Sequence, residues 1–164
     1  GVVYLLQAWA KLNWNDAVLV LGGRDSQSPF VEHLIRVTGA RNVVCTGWVK
    51  DVSDFYNQIS VYVQPSVTEG FGIEVLEAMA YGRAVVTTHG TGSADLVWDT
   101  GAGIVIDKGA TDRWPNWLAG AIDNYKHRPD ICALNGQRGR EIAVDYTWDK
   151  IRARYQELWK GLLA

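Results

Sequence analysis

Residues 61–88 read Val-Tyr-Val-Gln-Pro-Ser-Val-Thr-Glu-Gly-Phe-Gly-Ile-Glu-Val-Leu-Glu-Ala-Met-Ala-Tyr-Gly-Arg-Ala-Val-Val-Thr-Thr. The apolar run Val61–Gln64 stops at Pro65-Ser66. A loop through Gly70 then opens a helix pattern over about 72–82, and Gly82 is placed to close it as a left-handed cap. A second apolar run, Ala84–Thr88, follows. Strand, helix and strand in this order, with strands apolar throughout, specify a parallel sheet covered on both faces.

The alternation continues in both directions. Upstream, helix-like residues 2–12 lead to the strand-like run Ala17–Leu21, which ends at Gly22-Gly23. A helix pattern over 27–38, a strand at Asn42–Thr46 and a short helix over 51–58 complete that side. Downstream lie a glycine-rich loop at 90–92 and a strand at Gly103–Ile106. From about residue 111 only helix patterns remain, at 111–127, 130–144 and 148–163. The reading is one α/β domain over residues 1–164, a Rossmann-like parallel sheet with helices on both faces and a helical C-terminal tail. Gly1 leads straight into a helix, which reads as a piece of a longer protein.

Composition narrows the function classes. The chain has 164 residues, 16 Lys+Arg against 18 Asp+Glu, and 48% hydrophobic residues. That is globular composition, and it excludes disorder. Near-neutral charge and a pI near 5.9 argue against a nucleic-acid partner. No apolar run approaches the roughly 18 residues of a membrane helix, and no secretory leader pattern is present. Cys45 and Cys132 stand far apart without zinc spacing. They point to a reducing compartment and a cytoplasmic protein.

Ligands of open parallel sheets bind beyond the carboxyl ends of the strands. Those ends are Gly22-Gly23-Arg24, Gly47-Trp48, Pro65–Gly72 and His89–Gly92. Glycine there permits close backbone approach to a ligand, although such turns use glycine without one too. Gly70 and Gly72 bracket a helix start, where backbone N–H groups lack intrahelical partners and the dipole is positive. Such a start suits a pyrophosphate. Glu69 precedes it, and Glu77 falls two turns further on, at the border of the apolar face. A carboxylate on that border needs hydrogen-bonding partners, and a sugar diol offers two. Glu74 is accounted for as a helix N-terminal acid with no ligand at all.

Pro65-Ser66, Glu69-Gly70-Phe71-Gly72 and Glu77-Ala78-Met79-Ala80 together resemble the signature of GT-B glycosyltransferases of the group 1, or family 4, type. The resemblance implies the C-terminal, nucleotide-sugar-binding half of such an enzyme. It implies that Glu69 contacts donor sugar hydroxyls. The amides of Gly70, Phe71 and Gly72 would meet sugar and phosphate, and Glu77 the ribose. The turn after Thr46-Gly47 lies beside the base in relatives, which marks Trp48 and Val49. By its chemistry Trp48 is equally a packed or surface residue. Gly22, Gly23 and Gly92 join the site through their strand ends. The family transfers sugar with retention and uses no bound metal or cofactor beyond the donor itself.

Departures from the family pattern carry their own expectations. Relatives hold the pyrophosphate with an Arg and a Lys on the loop after a first strand. That strand and both cations are expected to precede Gly1, together with an N-terminal acceptor domain. Their loss would weaken donor binding and leave residues 1–164 inactive alone. Asp95 stands where relatives have Glu, and Ala84 replaces a common Pro. The last helix is expected to cover the other domain with Leu158, Trp159, Leu162 and Leu163. Exposed, that face would drive self-association, and the absent domain would bring the enzyme to the inner membrane face. Two rival readings fit part of this pattern. A non-catalytic nucleotide-sugar module would keep Glu69 and Glu77. A dinucleotide-binding oxidoreductase would need a G-x-G-x-x-G turn, which Gly22-Gly23-Arg24-Asp25 lacks.

Overall fold

A computed structural model describes residues 1–107, 109 and 111–163, the last without its side chain. The chain opens with α1 (Val2–Leu12), followed by β1 (Leu19–Gly22) and a 3₁₀ turn at Arg24–Gln27. Next comes α2 (Pro29–Thr38). Ser28 caps it by accepting from the Val31 N–H, Pro29 supplies the first turn, and Gly39 ends it at φ 71°. Then follow β2 (Val43–Gly47), α3 (Val52–Gln58), β3 (Val61–Gln64), α4 (Ile73–Ala80) and β4 (Ala84–Thr88). The Asp51 carboxylate caps α3 on the Asp54 N–H. After β4 stand α5 (Ala94–Thr100) and β5 (Gly103–Ile106), and then α6 (Trp114–His127), α7 (Pro129–Ala143) and α8 (Trp148–Leu163).

The strands and long helices stand where their patterns placed them, to within two residues at most ends. Two differences have physical causes. The helix pattern at 27–38 resolves into a 3₁₀ turn and then α2, because Pro29 cannot donate into a continuous ladder. The pattern assigns no element between the glycine-rich loop at 90–92 and the strand at Gly103, where the structure has α5. It is a two-turn helix with no side-chain cap on its first turn, ended by Gly101 in the left-handed region.

All strand pairs are parallel, but they form two sheets. One pairs β1 with β2, in register Leu19 to Val43. The other has the order β3-β4-β5, in register Val61 to Ala84 and Val85 to Gly103. The unpaired edges of β1 and β3 border one cavity of about 1230 Å³, also lined by Val2, Leu5 and Trp9 of α1. Gly1 abuts the Pro65 carbonyl just past β3, at the mouth of this cavity.

Three apolar clusters hold the molecule together. Leu5, Leu6 and Trp9 of α1 pack with Leu19 and Leu21 of β1. From the same helix Ala8, with Tyr4 beside it, packs with Ala84 and Val86 of β4 and with Trp114 and Leu118 of α6. So α1 spans both sheets. Val75, Ala78 and Met79 of α4 pack with Val85, Val97 and Tyr56. The tryptophans divide. Trp9 and Trp114 are buried, whereas Trp98, Trp148 and Trp159 are exposed. The last helix, α8, packs chiefly on the 3₁₀ turn Val144–Tyr146 and buries none of its described side chains.

Candidate functional site

The loops after β3 and β4 interlock at the carboxyl end of the larger sheet. The Glu69 N–H donates to the Gly90 carbonyl at 2.8 Å, and the Ser93 N–H to the Phe71 carbonyl at 2.9 Å. The contact is tight enough to exclude side chains: a Cβ on Gly92 would fall 2.1 Å from the Gly70 carbonyl oxygen. Gly72, the residue before α4, sits at φ 77°. A Cβ there would be 2.6 Å from the Thr91 methyl. The glycines read as ligand-facing turns therefore also let two loops meet.

This junction presents the first turn of α4. The Gly70 N–H is taken by the Oε1 of Glu69 at 3.0 Å. Among the described residues, the N–H groups of Phe71, Gly72 and Ile73 meet no acceptor. With the helix dipole behind them they form a partial positive centre. Thr91 and Ser93, behind Gly72, are buried, and their hydroxyls have no partner among the described residues. Neither was marked from sequence. Hydroxyls alternating with Gly90 and Gly92 were the signal available.

The two glutamates open onto different hollows. Glu69 is exposed and lines a cavity of about 530 Å³ with His89, Gly90, Thr91, Gly92, Asp95 and Asp107. Glu77 is half-buried and lines the larger cavity between the sheets, as do Gly22, Gly23, Trp48 and Val49. Gly70, Phe71 and Gly72 line neither, and lie on the ridge where the loops meet. The Tyr62 hydroxyl is common ground. Burial pushes its pKa up, and the charges of Glu74, Glu77 and Glu69 push it further.

Glu77 has a protein partner. The Tyr56 hydroxyl of α3 lies 3.1 Å from its Oε2. Burial and the neighbouring Tyr62, then Glu77, hold the Tyr56 proton on far above the usual tyrosine range. Trp48 resolves as a surface residue, 65% exposed, with the Arg24 guanidinium 5.5 Å from its ring centroid. Among the described residues no cluster of His, Cys, Asp and Glu is arranged to hold a metal ion. Among the described residues no helix is long and apolar enough to cross a membrane.

The family model described as glycosyl transferases group 1 matches residues 1–124. The chain belongs to this family. It is 28% identical to the capsular polysaccharide biosynthesis glycosyltransferase CapM of Staphylococcus aureus, over 98% of this chain and 43% of CapM. Sucrose-phosphate synthase from Thermosynechococcus elongatus superposes with a TM-score of 0.81 at 25% identity, over 99% of this chain and 42% of that one. Anabaena Alr3699/HepE, solved with UDP-glucose, shares the fold with a TM-score of 0.80 at 19% identity, over 100% of this chain and 45% of that one. The group 1 chain thus spans less than half the length of these proteins, and it has the GT-B, Rossmann-like architecture that its residues 61–88 had implied.

Proposed function

We propose that this chain is the donor-binding half of a retaining glycosyltransferase that moves a hexosyl group from a nucleoside diphosphate to an acceptor. The observation that carries the reading is the α4 start, with uncommitted amides at Phe71, Gly72 and Ile73 between Glu69 and Glu77. In this reading the amides receive the diphosphate. Glu77 takes the ribose hydroxyls from the large cavity, and Glu69 takes sugar hydroxyls from the small one. Trp48, with Val49, Gly22 and Gly23, borders the base. The relative solved with UDP-glucose supports a nucleotide sugar as the ligand class.

The chemistry follows from charge. Cleaving the glycosyl–phosphate bond leaves positive charge on the sugar ring and puts negative charge on the departing phosphate. Fixed amide dipoles aimed at that phosphate stabilise the transition state more than the ground state. Glu69 positions the sugar and is not assigned as nucleophile. The acceptor, and the groups that activate it, belong to an N-terminal domain outside residues 1–164, and residues 1–164 are inactive alone. A parallel strand entering α1 at Gly1 suits the gap between β1 and β3, whose edges both offer unpaired backbone groups.

Calorimetric titration with UDP, GDP and ADP tests the reading. One of the three is expected to bind weakly. Glu77→Ala is expected to reduce that binding roughly ten- to a hundredfold, the worth of hydrogen bonds to a charged group. Equal binding by the variant would remove Glu77 from the site. The non-catalytic module predicts the same binding, and is separated by assaying sugar transfer in the protein that carries the acceptor domain.

A further inference from the structure

We propose that Tyr56 is a positioning residue that holds Glu77 in its ligand-ready rotamer. The inference rests on the reading above that Glu77 meets the ribose. Tyr56 is only 3% exposed, and three rings fix its place. It stacks on Tyr81 at 5.3 Å between centroids, and meets Phe55 and Tyr62 edge-on at 5.5 and 5.7 Å. Its hydroxyl therefore has one address. Two acceptors wait there, the Glu77 Oε2 and the Glu74 carbonyl, each at 3.1 Å. The hydroxyl has one proton to give. The Glu74 carbonyl belongs to the first turn of α4, where the helix ladder supplies it with a donor. The carboxylate is charged and forms the stronger bond. The proton goes to Glu77.

The neighbouring tyrosine cannot do this work. Tyr62 packs edge-on against Tyr56, but its hydroxyl donates to the Gln64 side-chain oxygen. Among the described residues Tyr56 is the only side-chain donor to Glu77, and the Oε1 of Glu77 has none. One oxygen is thus pinned from the protein side while the other is free for a ligand beside the large cavity. A free glutamate on a helix border samples several rotamers, and a ligand that needs one of them must select it at a cost in affinity. Tyr56 removes that selection in advance.

Tyr56→Phe keeps the ring and deletes the proton. The affinities of UDP, GDP and ADP are compared with those of their dideoxyribose counterparts, which lack both ribose hydroxyls. Wild-type protein is expected to prefer the ribose form of the nucleotide it binds. In Tyr56→Phe that preference is expected to shrink about three- to tenfold, while the dideoxy form binds as before. In a Glu77→Ala background the same change is expected to do nothing further. The preference is a ratio within one protein, so a smaller folded fraction cancels from it. An unchanged preference in Tyr56→Phe, or an equal loss for both forms, overturns the inference and leaves the Glu77 assignment intact. Wild-type protein that binds the two forms alike overturns both.

Discussion

At Gly92 the site and the fold make the same demand. A methyl group placed there would occupy the space of the Gly70 carbonyl, at 2.1 Å. Both partners are backbone, so relief requires the two loops to part. Gly92→Ala is expected to cost about 1–3 kcal/mol, the usual range for forced overpacking, read from chemical denaturation. It is also expected to weaken nucleotide binding beyond that loss, because the amides of Phe71 and Gly72 ride on the displaced loop. Residues of this kind were readable in the sequence, since a glycine at a strand end and a carboxylate beside a helix start each state a local need. Tyr56 was not. A buried tyrosine and a border glutamate each lack a partner until they find one another. Their spacing, across α3, β3 and the loop to α4, hides the pairing.

At the scale of the element, α8 stands apart. Trp148, Tyr155, Leu158, Trp159 and Leu162 are all exposed on it. The interval between them brings them to one stripe. Ending the chain at Thr147 is expected to leave the unfolding free energy of the remainder unchanged to within about 0.5 kcal/mol, the range for surface changes away from packed features. It is also expected to lower self-association in sedimentation, since neighbouring exposed apolar side chains drive contact. A fall of several kcal/mol would mean that α8 is folded onto the body in solution. Long periodic helices and unbroken apolar strands were legible because each repeats its signal over many residues. The helix α5 was not, because two turns after a glycine run carry too few periods. The exposed stripe of α8 was legible as apolar, but no helix pattern by itself says whether a partner covers it.

The whole molecule is two small parallel sheets joined through helices. Leu6 is fully buried where α1 meets β1, and Ala8 is fully buried where the same helix meets β4. The sequence showed five strands and their direction, but not this division. A strand carries the same pattern whether or not a neighbour pairs with it. Sheet edges that lack a neighbour recruit one. Warming concentrated protein is expected to produce intermolecular sheet, seen in the amide infrared band, with an onset that falls as concentration rises. Supplying a short apolar strand-forming peptide is expected to raise that onset.

The open edges of β1 and β3 also bear on kinetics. A strand laid between them would close two hydrogen-bond ladders in one event, so its arrival and departure would be slow and all-or-none. A strand filling that seam would also wall the cavity that Glu77 lines.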